Sequence, residues 1–259
     1  MMKNFFGRGF ILIIFTILFS FSFVFGQNSE FQTLLDEIDE LNDANEFDAA
    51  MTKLQKAEKI DKDNPEFLWR MARNYFQFAD QNPEDLELQK KNLYPGFKYA
   101  ERCLKSAPKV AGGHQYYAIL IGRIGELEGT KQKITNSFKV KEHTMIAIGL
   151  EPENDSNYHV MGRWHFVLAD LNWFERNIAE LIYGDVPEAS FNESVKFFSK
   201  AHELKPDEIR HLLWLGKAYL KLDKDSLAEN SLKNAVKITP DSDSDIGMVK
   251  EAKELLKDF

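Results

Sequence analysis

Six histidines, His114, His143, His159, His165, His202 and His211, are the residues of this chain best able to ligate a metal or move a proton. His159 and His165 stand six apart, which is not the i,i+4 spacing that puts two imidazoles on one helix face. No cysteine or carboxylate completes a ligand set beside them, so the spacing predicts no metal site. Glu175 and Arg176, next to Trp173, have the types of a catalytic carboxylate and a positioning cation. The expectation for such a pair is a structural ion pair at a helix corner. The sequence holds no phosphate-cradling glycine loop, no nucleophile elbow and no Cys/His spacing suited to nucleophilic catalysis. No catalytic residue, metal or cofactor is therefore expected. The single cysteine, Cys103, cannot form an internal disulfide and occupies a small-residue helix position, where packing is its expected role.

The elements that position these side chains follow from a repeated pattern of small and aromatic residues. Gly216, Tyr219, Ala228, Leu232, Ala235 and Pro240 keep the order that two closely packed antiparallel helices require. Gly216 admits the partner helix, Tyr219 fills the gap beside it, the alanines leave room, and Pro240 ends the second helix. The terminal part recurs at Ala201, Leu204 and Pro206, at Ala147, Leu150 and Pro152, at Cys103 and Pro108, and without proline at Ala57 and Ile60. This is the signature of tetratricopeptide repeats, and it predicts an all-α solenoid of about five helix pairs plus a C-terminal capping helix. Pro206 to Pro240 spans the standard 34 residues, but Pro108 to Pro152 spans 44 and Pro152 to Pro206 spans 54, so some repeats must be lengthened.

Apolar periodicity predicts a first pair between Glu30 and Lys62, and a second that starts at Pro65 and ends with a helix from Glu84 to Ser106, kinked or interrupted at Pro95 and Gly96. The third pair covers Gly112 to Glu128 and Lys131 to Leu150. The fourth covers Asn157 to Tyr183 and Ser190 to Leu204, with a breaker at Gly184 to Pro187, and the fifth covers Asp207 to Leu222 and Ser226 to Ile238. Ile246 to Asp258 reads as the solvent-facing cap. Trp164, Phe166, Trp173 and Phe174 read as core of the enlarged fourth repeat, or else as the lining of a lipid or peptide pocket.

In such a solenoid the first helix of each pair builds the inner surface. Counting from the small slots Ala72, Ala118, Gly162 and Gly216 places Trp69, Arg73, Gln115, Arg123, His159, Arg163, Arg210, Lys217 and Lys221 on it. Six of these nine are cations. The expectation is a basic groove for a protein or peptide with an acidic or carboxylate-terminated segment, or for an anionic lipid head group, since arginine forks pair with carboxylate and phosphate.

Residues 1–26 read as a signal peptide, with an inner-membrane anchor as the alternative, and residues 27–259 as the repeat domain. Lys3 and Arg8 precede an apolar run from Phe10 to Phe25, and cleavage is expected before Gln27, giving an exported, periplasmic protein. Removing this segment takes two cations and no acids from a chain of formal charge −8, leaving about −10. An acidic surface of that size argues against nucleic acid as the partner.

Within the repeats, the run from Glu128 through Ile134 and Phe138 to His143, then Gly162, Trp164 and Phe166, then Trp173, Glu175, Arg176 and Ala179, resembles the regulator of microtubule dynamics family over roughly residues 100–240. The resemblance implies a hydrophobic N-terminal segment ahead of a tetratricopeptide-like domain. It also implies work as a membrane-tethered adaptor, associated in some members with microtubules and in others with lipid at organelle contacts. The apolar run at the start of this chain looks more like a bacterial export signal, and the alternative function is a lipid-binding or lipid-transfer module with an aromatic-lined cavity.

Overall fold

The computed structural model describes residues 29–81, 83–183 and 188–259. The expected signal segment and the breaker at 184–187 lie outside them. Twelve α-helices follow in order: α1 (29–43), α2 (Phe47–Asp61), α3 (Pro65–Asp80), α4 (Leu86–Ser106), α5 (Ala111–Glu128), α6 (Thr130–Leu150), α7 (Asp155–Ala169), α8 (Trp173–Tyr183), α9 (Phe191–Leu204), α10 (Ile209–Leu220), α11 (Asp225–Lys237) and α12 (Asp243–Leu255). Among the described residues there is no strand. Helices α3/α4, α5/α6, α7/α9 and α10/α11 pair, α12 packs on α10 and α11 as the cap, and α1 meets α2 through the Glu37–Lys53 ion pair to make the fifth.

Capping fixes where several helices begin. Asn64 accepts the backbone N–H of Glu66 with Pro65 at the first helical position, Asp85 accepts from Glu87 and Leu88, and Ser190 accepts from Glu193. The small slots work as the sequence implies. A Cβ on Gly216 would stand 2.8 Å from the Leu232 side chain, and one on Gly162 would stand 2.6 Å from the Phe198 ring, so these glycines are what let each pair close. Ala228 and Ala235 are fully buried. Helix α4 runs without interruption through Pro95, and the missing side chain of Gly96 beside it lets Tyr75 and Leu120 of the neighbouring helices approach closely.

The fourth repeat differs from the expected single helix over 157–183. The chain breaks at Asp170–Asn172 and starts again as α8. Asn172 Oδ1 accepts the N–H of Glu175 at 2.9 Å while Glu175 Oε2 accepts the N–H of Asn172 at 3.1 Å, a reciprocal capping box that ends one helix by beginning another. Glu175 Oε1 also accepts from Thr130 Oγ1 at 2.9 Å and lies 3.4 Å from Lys133 Nζ, which pins α8 to α6. The expected Glu175–Arg176 pair is thus replaced by Glu175–Lys133, since neighbours in one helix turn point apart. The aromatic cluster divides as well: Trp164 and Phe166 are buried, whereas Trp173 is 79% and Phe174 66% exposed on the outer side of α8.

Candidate functional site

The stacked pairs curl until the two ends of the solenoid touch. Asn45, in the turn between α1 and α2, donates its side-chain amide to Asp241 in the turn before α12. Behind this contact lies a cavity of about 1430 Å³. Its floor is built from the first helices of the pairs, through Trp69, Arg73 and Phe76 of α3 and Gln115, Tyr116 and Ile119 of α5. Its rim is built from turns and helix ends: Asp43, Glu151, Asp207, Glu208, Asp241 and Asp243.

The floor is a fixed polar and aromatic layer. Trp69 stacks on Tyr116 with ring centroids 6.1 Å apart and planes within 7°. Arg70 lies 4.2 Å over the Trp69 ring, and both Arg70 and Arg73 bind Asp39 of α1, each with a contact of 2.6 Å. Asn154, the cap of α7, donates to Gln115 Oε1 at 3.4 Å. Tyr116 is nine-tenths buried, borders the cavity, and has no hydrogen-bond partner for its hydroxyl among the described residues. Burial pushes that hydroxyl's pKa up, so it stays a neutral donor and acceptor.

Of the nine predicted groove residues, Trp69, Arg73, Gln115 and Arg210 meet at this cavity. The other five do not line it. Arg123, Arg163 and Lys217 form a ladder toward the C-terminal ends of the same helices. Arg123 binds Asp80 at 3.3 Å, Arg163 binds Glu126 at 2.9 Å and lies 4.1 Å over the Trp214 ring, and Lys217 lies 4.1 Å over the same ring and binds Glu251 at 2.7 Å. Lys221 pairs with Asp170 at 2.5 Å. These contacts tie α3, α5, α7, α10 and α12 to one another.

The expected basic stripe is accordingly not what the cavity wall carries. Its lining holds four cations, Arg73, Lys109, Lys205 and Arg210, against ten carboxylates. Arg73 is committed to Asp39, Lys205 to Glu208 at 2.8 Å, and Arg210 to Asp155 and Glu208 at 3.4 and 3.3 Å. Four of the carboxylates, Glu151, Asp207, Glu208 and Asp241, come from turns, and the other six stand at or near helix ends, off the positions that an offset count from the small slots reaches; runs such as Asp241, Asp243 and Asp245 were the available signal. Burial and the neighbouring Asp241 push the Asp245 carboxyl up to about 6.

His159 has moved from expected ligand contact to buried structure. Burial lowers the pKa of His211 although Asp155 opposes the shift, and Asp155 itself is held low by His211 and Arg210 against its own burial. With Asp155 ionised, His211 Nε2–H donates to Asp155 Oδ2 at 2.8 Å, which leaves His211 Nδ1 to accept from His159 Nδ1–H at 3.0 Å. Burial, with the charges of Arg210, His211 and Arg163, holds His159 neutral. A second pair behaves alike: His114 Nε2–H donates to the Pro108 carbonyl, so its Nδ1 accepts from His143 at 2.9 Å. No group of three or more His, Cys, Asp or Glu among the described residues is placed to hold a metal ion. Cys103 is buried, and burial pushes its thiol up to about 12, which suits packing and not nucleophilic chemistry.

Helix pairs closed on small-residue slots, stacked in one direction and capped by a final helix, define a tetratricopeptide-like helical-repeat protein. Solved structures agree on the fold. The chain is similar to a tetratricopeptide protein of Thermus thermophilus (TM-score 0.62, 16% identity, 88% of this chain and 99% of that one) and to PilF of Pseudomonas aeruginosa (TM-score 0.51, 11% identity, 90% and 87%). The family model for regulator of microtubule dynamics protein 1-3 matches residues 34–259, and this chain belongs to that family. It is 32% identical over 231 residues to the bovine regulator of microtubule dynamics protein 1, covering 89% of this chain and 72% of that protein. It is 34% identical to the mouse protein 1 (76% and 65% covered) and 32% identical to the mouse protein 3 (73% and 40% covered). The matched region extends the resemblance at residues 100–240 to nearly every described repeat.

Proposed function

We propose that this chain is a non-enzymatic adaptor that holds a segment of another protein in the cavity enclosed by its repeats. One observation carries the reading: the cavity is bordered by residues from the first to the last repeat, so a bound segment would touch every helix pair at once. The relatives are named as regulators of microtubule dynamics, which agrees with a protein-binding scaffold. The lipid-binding alternative drew its aromatic lining from Trp164, Phe166, Trp173 and Phe174; Trp164 and Phe166 instead fill the core and Trp173 and Phe174 are exposed, and although Trp69, Phe76 and Tyr116 line the cavity floor, its rim carries carboxylates that would repel an anionic head group. Residues 1–26 would direct the chain out of the cytoplasm; N-terminal sequencing of native protein that began near Gln27 would support this, whereas a full-length N-terminus in the membrane fraction would support an anchor.

Displayed peptide libraries test the cavity. Peptides selected on the native chain should bind Gln77→Trp, which narrows the cavity, at least about tenfold more weakly, a change of about 1.4 kcal/mol. They should bind Lys139→Trp, on the exposed face of α6, as they bind the native chain. Equal binding to all three proteins would move the contact away from the cavity.

A further inference from the structure

The sign of the cavity is set by carboxylates that have no cationic partner among the described residues. Asp43, Glu151, Asp207, Asp241, Asp243 and Asp245 border it and make no ion pair among the described residues, while three of its four cations are already paired: Arg73 with Asp39, Lys205 with Glu208 in its own turn, and Arg210 with Asp155. A concave wall of one charge focuses its field into the space it encloses. Crowding is already felt within the wall, where Asp241 and burial together keep the Asp245 carboxyl reluctant to ionise.

A second observation is independent of charge. The floor holds Tyr116, a residue nine-tenths buried whose hydroxyl has no partner among the described residues, and Gln115 beside it bonds to those residues through its carbonyl oxygen alone, at 3.4 Å. A hydroxyl and a free amide N–H pair side by side offer the donors and acceptors that an extended backbone needs.

We infer that the occupant of the cavity is a cationic segment of a partner protein, its backbone over Gln115 and Tyr116 and its lysine or arginine side chains against the Asp207 and Asp241–Asp245 rim. This rests on the peptide-binding reading above and fixes the chemistry of its ligand. The acidic or carboxylate-terminated ligand suggested by the cations of the sequence does not suit this wall, because the charges of Arg73 and Arg210 are already offset by Asp39, Asp155 and Glu208 while six further carboxylates face the same space. The charge arrangement also makes capture fast at low ionic strength and salt-sensitive.

The test uses two fluorescein-labelled ten-residue peptides, one alternating arginine with serine and the other glutamate with serine, followed by anisotropy on the full chain. The arginine peptide should bind, and its Kd should rise at least tenfold between low salt and physiological salt. It should rise similarly in the variant Asp207→Asn, Asp241→Asn, Asp243→Asn, Asp245→Asn, and stay within twofold in the control Glu30→Gln, Glu40→Gln, Glu101→Gln, whose sites lie off the cavity. If the fourfold variant does not fold by circular dichroism, Asp207→Asn with Asp243→Asn replaces it. Equal weakening in both variants would mean general attraction to an acidic protein and would overturn the site. Preference for the glutamate peptide would leave peptide binding standing and overturn the sign. Binding of neither peptide, with library-selected peptides free of lysine and arginine, would overturn it as well.

Discussion

Asn45 and Asp241, 196 residues apart, are joined by the Asn45 side-chain amide, which reaches the Asp241 carbonyl at 3.4 Å and its carboxylate at 3.3 Å. The contact converts an open solenoid into a ring, and it depends on a backbone that few residues adopt, because Asn45 has φ +60°. Asparagine serves both needs.

Two substitutions separate those needs. Asn45→Gly keeps the left-handed turn and removes only the bridge, whose exposed bonds contribute about 0.5 to 1 kcal/mol. Asn45→Ala also strains the turn, by about 1 kcal/mol or more. Urea melts should rank native above Gly above Ala. Hydrogen exchange at the start of α12 should quicken equally in both variants, and unaltered exchange in Asn45→Gly would show that the ring stays shut without this bridge.

The buried histidines make stability depend on pH. Burial lowers the pKa of His159, His165 and His211, and takes His143 down to about 4, below the ordinary imidazole value near 6.5. A histidine lowered in the folded state takes up protons more readily when unfolded. Its contribution is therefore complete above pH about 6.5 and falls away as pH drops toward the folded value. Asp155, lowered as well, adds its loss only in the more acidic range below the ordinary carboxylate value. Urea midpoints should decline from pH 7 to pH 5, and His143→Gln should flatten the decline. A level native profile would contradict the assignment.

Packing slots give the sharpest expectation from sequence and structure together. Ala235 is fully buried among Leu212, Leu213 and Val249 neighbours, and a Cβ on Gly162 would collide with Phe198. Ala235→Leu and Gly162→Ala should each cost about 1 to 3 kcal/mol through overpacking, read from urea midpoints. No loss for either would mean that the pair can part without penalty.

Those slots explain why the fold was legible. Gly162, Gly216, Ala228 and Ala235 are local constraints on how near two helices come, and local spacing in the chain records them. Superhelical closure is a sum of small rotations over all repeats and leaves no such mark. An offset count along the first helices thus reached Trp69, Arg73, Gln115 and Arg210 but also ran on to Arg123, Arg163 and Lys217, whose partners are the next helices in the stack. It overlooked the rim carboxylates because turns and helix ends fall outside the counted positions. The break before α8 was readable, since asparagine three residues ahead of glutamate before an apolar run is a capping signature, but Glu175 was weighed against Arg176 instead.

Glu175 is the last residue whose role can be isolated. Burial alone would raise its pKa, but the hydrogen bonds from Asn172 and Thr130 and the charge of Lys133 outweigh that and hold the carboxylate ionised. It closes the capping box of α8 and fastens the helix to α6, while Trp173, Phe174 and Leu181 on α8 are exposed. Among the described side chains, α8 is held by these polar contacts, the half-buried Ile178 and the buried Ala179, in contrast to the pairs that form the main stack. Glu175→Ala should remove about 1 kcal/mol locally and raise proteolysis within α8 several-fold. The urea midpoint of the whole chain should stay nearly constant, because regions with little buried contact open below the global transition. Glu175→Gln, which keeps the acceptor for the Asn172 N–H but loses the charge toward Lys133, should fall between alanine and native. If alanine lowered the global midpoint as much as Gly162→Ala does, α8 would be an integral part of the fourth repeat and not a helix fastened to its surface.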